Sequence, residues 1–389
     1  MKKLHGRCGG ALVVALSSAA LLGAFGSGIG DVAAGAATSS SKSYTVMVIG
    51  GFTGLQSYSV PEIVPAVEGE FHSDKAVKVL SCDDQNATSA ALACEHEAVA
   101  DNVAAVVVGF GSAAYDESPL TTANIPVVGY AATSSTSPNS FALTGGEYPA
   151  IGVGLSKAGC HRLGVLYIDG GGSLANVIVA AGKWKSVTEA AVAIDSPDVS
   201  PAIAKLAEGH VQCIAMSVEP ATVVQAMIAI NQSGLKVKVG MTSALVTPQV
   251  LSSLGKQANG LISVDAQAEP DEKAPVVALI KKEMKAVDPK APLTTAAITA
   301  WASARLIEDA AQSIKGSVTA ASMLKALNGL RNASTDGAIP PFSSVPLPNP
   351  TYSRLFNHYG IDYVVENGVE KPLTGFYNLA PVLGISTGS

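Results

Sequence analysis

The chain has 389 residues, a formal net charge of −6 and 48% hydrophobic residues. It carries no Lys/Arg block, which argues against nucleic acid or an anionic membrane surface as a partner. Once a leader is removed, roughly 350 residues remain, more than one hydrophobic core normally holds, so two domains are expected.

Lys2, Lys3 and Arg7 precede an apolar stretch over Ala11–Phe25, the pattern of an export signal. That stretch is short for a membrane span, and Gly23, Gly26, Gly28, Gly30 and Asp31 interrupt it early. Cleavage is expected after Ala34-Gly35-Ala36, so residues 1–36 form the leader and the mature chain starts near Ala37. Losing Lys2, Lys3, Arg7 and Asp31 takes the net charge from −6 to −8. Cys8 lies ahead of the apolar core, so the leader is not of the lipid-anchored kind. A periplasmic or secreted location follows.

Strand and helix patterns alternate from Tyr44 onwards. Strands are predicted at Tyr44–Ile49 and Ala76–Leu80, with helices at Pro61–Phe71 and Ser89–Ala100. Two continuous apolar runs come next, Ala104–Val108 and Ile125–Tyr130, separated by a helix at Ala113–Ala123. Such runs suit strands covered on both faces, as in a parallel sheet. Each passes into a turn of small and hydroxyl residues, ending at Ser112 and Thr133. Ligands bind outside the carboxyl ends of strands in open parallel sheets, so these two turns are expected to hold one small anion. Helix N-capping by the same hydroxyls is the competing role.

A second alternating run follows Gly145-Gly146. Strands are predicted at Arg162–Ile168, Cys213–Met216, Lys236–Val239 and Leu261–Val264, with helices at Leu174–Trp184, Pro220–Gln232 and from Pro248. Lys273–Val287, Thr294–Ile314 and Thr319–Leu330 are helical patterns, and the Pro-rich tail holds strand-like pieces at Tyr363–Val365 and Phe376–Asn378. Repeated βαβ units imply an α/β fold with two doubly wound parallel sheets. The expected division is 44–148 with 271–330 in lobe I, and 149–270 with 331–389 in lobe II.

Four cysteines remain in the mature chain: Cys82, Cys94, Cys160 and Cys213. In an oxidising compartment an even count suggests disulfides, and four allow three pairings. Cys82 and Cys94 close a short loop, and Cys160 and Cys213 stand at strands that can be neighbours. Metal binding competes, but there is no C-x-x-C pair and no His at ligand spacing. Gly109-Phe110-Gly111-Ser112-Ala113-Ala114 mimics a dinucleotide fingerprint without the acidic residue that should end the next strand. There is no G-x-S-x-G elbow, P-loop or H-E-x-x-H motif. No cofactor, metal or enzymatic activity is expected.

Several stretches together carry a resemblance: Gly50-Gly51-Phe52-Thr53-Gly54, Ser81-Cys82-Asp83-Asp84-Gln85-Asn86 with Ala93-Cys94, and Val106–Ala114. Ile125–Thr133, Ser137-Pro138-Asn139-Ser140-Phe141, and the tail from Arg354-Leu355-Phe356-Asn357 to Pro372-Leu373-Thr374-Gly375 complete it. In this order they resemble the type I substrate-binding proteins of branched-chain amino-acid ABC transporters. The resemblance implies a type I periplasmic binding protein fold, with two lobes joined by three crossovers that close on a ligand. It implies a ligand carboxylate held by Ser112, Ala131, Ala132 and Thr133, and aromatic cleft positions at Tyr58 and Trp301, although a Trp is also a common core residue. The expected partners are a small-molecule ligand and a permease, and the expected state is a monomer.

The second lobe departs from the family. Where the family places a carboxylate for the ligand ammonium, this chain has Gly240-Met241-Thr242-Ser243. The usual aromatic residues near Ser217-Val218-Glu219 and after Ile168 are absent. Either Asp169 or Glu219 supplies the missing carboxylate, or the ligand is not an α-amino acid. A ligand-sensing receptor with the same clamp, or an exported hydrolase, are the alternatives of other classes.

Overall fold

The computed structural model describes residues 43–53, 59–109, 117–129, 137–194 and 196–384. Two sheets organise them. The first contains β1 (Tyr44–Gly50), β2 (Val77–Asp83), β3 (Ala105–Val108), β4 (Val127–Gly129) and β5 (Ser140–Ala142), all parallel, in the order β2-β1-β3-β4-β5. Its connections are α1 (Ile63–Glu70), α2 (Thr88–Ala100) and α3 (Ser118–Thr122). β3 is Ala-Val-Val-Val with every residue buried, which explains its unbroken apolar run.

α4 (Glu147–Lys157) opens the second lobe, followed by β6 (Arg162–Ile168), α5 (Gly172–Ala180), β7 (Ser186–Val192), α6 (Ser200–Glu208) and β8 (Cys213–Ser217). α7 (Pro220–Gln232), β9 (Lys238–Thr242), α8 (Pro248–Leu254) and β10 (Ile262–Asp265) continue it. Proline occupies the first turn of α7 and α8, where a missing N–H costs nothing and the fixed φ favours the helix. The chain then returns to lobe I for α9 (Pro275–Val287), α10 (Thr295–Ser313) and α11 (Ala320–Asn328). α9 buries Val276, Val277, Ile280 and Met284 along one helical stripe. The Thr294 hydroxyl caps α10 by accepting the Ala297 N–H at 3.2 Å.

Lobe II is completed from the C-terminus by β11 (Tyr359–Glu366), β12 (Val369–Pro372) and β13 (Tyr377–Asn378). The second sheet runs β12-β11-β10-β9-β8-β6-β7, with β13 also on β11. β6 to β10 are parallel, whereas β11 joins β10 antiparallel. This is the two-lobed type I periplasmic binding protein fold.

The lobe division is corrected at two places. α4 packs wholly against the second sheet, so the first crossover precedes Glu147. Residues 331–342 belong with lobe I, because Ala338, Ile339 and Phe342 are buried in the core that contains α9–α11. The last crossover therefore follows Phe342, and it runs beside β5 where Leu355 pairs with Ala142. Arg354 stacks over Phe141 and Phe356 there and donates to the Ser140 carbonyl at 2.8 Å. Asn357, fully buried, donates from Nδ2 to the carbonyls of Leu143 at 2.8 Å and Ala266 at 2.6 Å. One side chain thus ties all three crossovers together.

Two disulfides are formed. Cys82 to Cys94 fastens α2 to β2 with Cα atoms 5.7 Å apart. Cys160 to Cys213, 6.0 Å apart, fastens the segment entering β6 to its neighbour β8. Among the described residues no helix is long and apolar enough to cross a membrane.

Candidate functional site

The carboxyl ends of β9 and β10 meet the crossovers and the first turn of α10 around a polar hollow. Its walls include Thr144, Glu147, Thr242, Asp265, Gln267 and Thr299, contributed by both lobes. Gln267 is locked in place: the Thr299 hydroxyl donates to its Oε1, and its Nε2 donates to the Thr295 carbonyl at 2.5 Å. Glu147 Oε2 accepts the Gly145 N–H at 2.5 Å, and Asp265 Oδ1 accepts the Ala266 N–H at 2.6 Å. Burial nevertheless pushes the Glu147 carboxyl up to about 7. Asp265 rises well above the usual range, first through burial and then through repulsion by Glu147.

A second hollow adjoins the first and shares Ala244 and Thr295 with it. Glu269 and Glu370 line it, with Ser243, Leu251, Pro292 and Leu293. Glu269 is raised strongly by burial and by the charges of Glu370 and Asp265. Burial lifts Glu370 to about 7, although the Ser263 and Ser243 hydroxyls oppose the shift. The four carboxyls therefore form one seam across both hollows, and none makes a salt bridge among the described residues. This seam is absent from the expectations drawn from sequence. Its members come from separate stretches of chain, and no short motif links them.

The anticipated site residues divide into three groups. Tyr58, Ser112, Ala131, Ala132 and Thr133 lie outside the described residues. The strands leading to the last four are adjacent and parallel, with Val108 paired to Gly129 at their carboxyl ends. Gly129 adopts φ +138°, and a Cβ there would collide with the Val108 carbonyl oxygen, so glycine is required where β4 leaves the sheet. Asp169 is exposed just beyond β6, and Glu219 is buried at the start of α7; neither lines either hollow. Trp301 must be corrected from cleft to core. It is fully buried among the lobe I hydrophobic residues, and its indole N–H donates to Glu283 at 2.7 Å on α9.

Two strand-helix lobes, three crossovers and a polar hollow at the strand ends define a clamp-type ligand-binding protein. The sequence model of the periplasmic binding protein family matches residues 63–345, and the chain belongs to that family. Several solved structures share the fold. A leucine-, isoleucine-, valine-, threonine- and alanine-binding protein from Brucella ovis, in a closed conformation, is 15% identical with a TM-score of 0.71. The match covers 87% of this chain and 95% of that one. A fatty acid ABC transporter substrate-binding protein from Thermomonospora curvata is 17% identical with a TM-score of 0.72, over 87% and 94% of the two chains. A leucine-binding protein from Thermotoga maritima is 14% identical with a TM-score of 0.68, over 86% and 99%. Comparison with curated protein sequences returned no match.

Proposed function

We propose that this protein is an extracytoplasmic solute-binding subunit of an ABC importer, exported by its N-terminal leader and cleaved near Ala37. It acts as a monomer, without catalysis, and closes its lobes over a small carboxylate-bearing ligand. The observation that carries this reading is the pairing of β3 with β4, whose carboxyl ends leave the sheet side by side. The chain continues from them to Ser112 and to Ala131, Ala132 and Thr133, hydroxyl and backbone donors suited to one carboxylate. Tyr58, an aromatic cleft position by the resemblance, is assigned to the same ligand. Family membership supports a binding role.

Ligand binding that favours the closed state shifts an open–closed equilibrium and presents the closed surface to a permease. Thermal denaturation of the mature chain with aliphatic carboxylates, amino acids and matched neutral amides tests the proposal. A carboxylate at one hundred times its Kd adds about 2.7 kcal/mol of stability. Stabilisation by the amides equal to that by the acids overturns the carboxylate assignment.

A further inference from the structure

The turn that follows β2 grips the loop that follows β1. Asp83, the last residue of β2, lies beside Gly50 at the carboxyl end of the lobe I sheet. Its Oδ1 accepts the N–H groups of Phe52 at 2.9 Å, Thr53 at 3.2 Å and Gln85 at 2.9 Å, and its Oδ2 accepts the Thr53 hydroxyl at 2.5 Å. Asn86 completes the grip by donating from Nδ2 to the Thr53 carbonyl at 3.2 Å. Every polar group of Thr53 is thus taken by Asp83 or Asn86, although the residue is exposed and water could serve it as well. Gly51 lies flat against Asn86, where a Cβ would collide with the side-chain amide. The far end of the loop returns to the same place: the Val60 N–H donates to the Gly51 carbonyl at 2.8 Å, and the Ser59 hydroxyl to the Phe52 carbonyl at 2.5 Å. Residues 54–58, Tyr58 among them, leave and rejoin the chain at this neck. The Cys82–Cys94 disulfide holds the strand end one residue before Asp83. Partial burial opposes ionisation of Asp83, but the Thr53 hydroxyl and the three N–H groups outweigh it and draw the carboxyl below its ordinary value.

We infer that Asp83 is a positioning residue of the ligand site: it fixes the neck of the loop after β1 before any ligand arrives, so that binding does not have to order this loop. The inference rests on the proposed reading that Tyr58 meets the ligand, and it gives Asp83 a part played through the loop. Ordering a loop on binding consumes interaction free energy, so a neck fixed in the free protein appears as affinity. β2 is the edge strand of its sheet, and Asp83 stands outside the hydrophobic cores, so loss of its bonds is expected to act locally.

Asp83→Ala removes the carboxylate, and Asp83→Asn restores one acceptor at the same place. Hydrogen exchange in the ligand-free mature chain, resolved at the Phe52 and Thr53 amides, is expected to quicken about tenfold in Asp83→Ala and to stay near the wild-type rate in Asp83→Asn. Val46 to Ile49 of β1 serve as the reference and are expected to keep their protection in both variants. L-leucine and hexanoate, an amino acid and a plain carboxylate, are then titrated calorimetrically into all three proteins. Whichever binds the wild type is expected to bind Asp83→Ala about tenfold more weakly, and Asp83→Asn within about threefold of the wild type. Unchanged exchange at Phe52 and Thr53 in Asp83→Ala overturns the inference, as does faster exchange with unaltered affinity. Equal quickening over Val46 to Ile49 also overturns it, because Asp83 then serves general stability. If neither probe binds the wild type, the carboxylate reading fails, while the exchange result still decides the role of Asp83.

Discussion

The two lobes differ in sheet type and in the side chains they bring to the strand ends. Lobe I is an all-parallel sheet in which β3 and β4 end side by side, and Ser112 and Thr133 of the proposed carboxylate site follow them in the chain. Lobe II is a mixed sheet, and it brings carboxyls to the hollows from separate elements: Asp265 ending β10, Glu370 on β12 and Glu147 opening α4. A turn between strand and helix gathers donors within a few residues, because unpaired N–H groups cluster at helix starts. A set of buried acceptors has to be assembled from distant chain segments instead.

Breaking each lobe's covalent staple gives the largest expected effect. Replacing Cys160 and Cys213 by Ala opens a long loop in lobe II and should cost about 4 kcal/mol, against about 3 kcal/mol for Cys82 and Cys94 in lobe I. Urea denaturation of the two double variants measures both, and a larger loss from the Cys82 pair would reverse the expected ranking. The next largest effect is on pH dependence. Glu147 sits at about 7 in the folded chain and near 4.5 when unfolded, so the folded state binds the extra proton between those values. Its contribution is full below about pH 4.5 and is lost as pH rises through 7, roughly 3 kcal/mol in all. Melting curves from pH 4.5 to 8 should fall more steeply for the wild type than for Glu147→Gln. Glu70, lifted to about 8 by burial in lobe I despite its contact with Arg305, contributes to both curves and leaves the difference to Glu147.

In lobe I, Ser112→Ala combined with Thr133→Ala should weaken a bound carboxylate about 100-fold, near 2.7 kcal/mol, with the melting temperature of the free protein unchanged. Unaltered affinity in a calorimetric titration would remove both residues from the site. The smallest expected effect is at the boundary between the lobes. Thr299→Val frees Gln267 from its hydroxyl partner and should cost about 1 kcal/mol of stability in the same urea assay.

Legibility in the sequence followed the same division. β6 and α7 occupy the ranges anticipated from their patterns, because one is an unbroken apolar run and the other starts at a proline and keeps a regular stripe. β5 went unrecognised because three residues carry no periodicity. α4 was obscured by Pro149, Gly152 and Gly154, yet Gly152 is what lets the helix approach the Ile178 carbonyl of α5. β7, at the sheet edge, is Ser-Val-Thr-Glu-Ala-Ala-Val with only two of its seven residues buried, so its apolar signal is weak. The same physics hid the carboxyl seam. Glu147, Asp265, Glu269 and Glu370 look like ordinary surface acids one at a time, and only folding buries the first three and sets half-buried Glu370 beside them.

The bond pair made by Asn357 bears on timing as well as geometry. A ribosome delivers the chain N-terminus first, so both sheets are largely synthesised before residue 357 appears. Until then the carbonyls of Leu143 and Ala266 lack this partner, and the two lobes are strung on two loose cords. The clamp acquires a defined axis only when the last crossover is laid down and one amide group fastens the three cords into a single pivot.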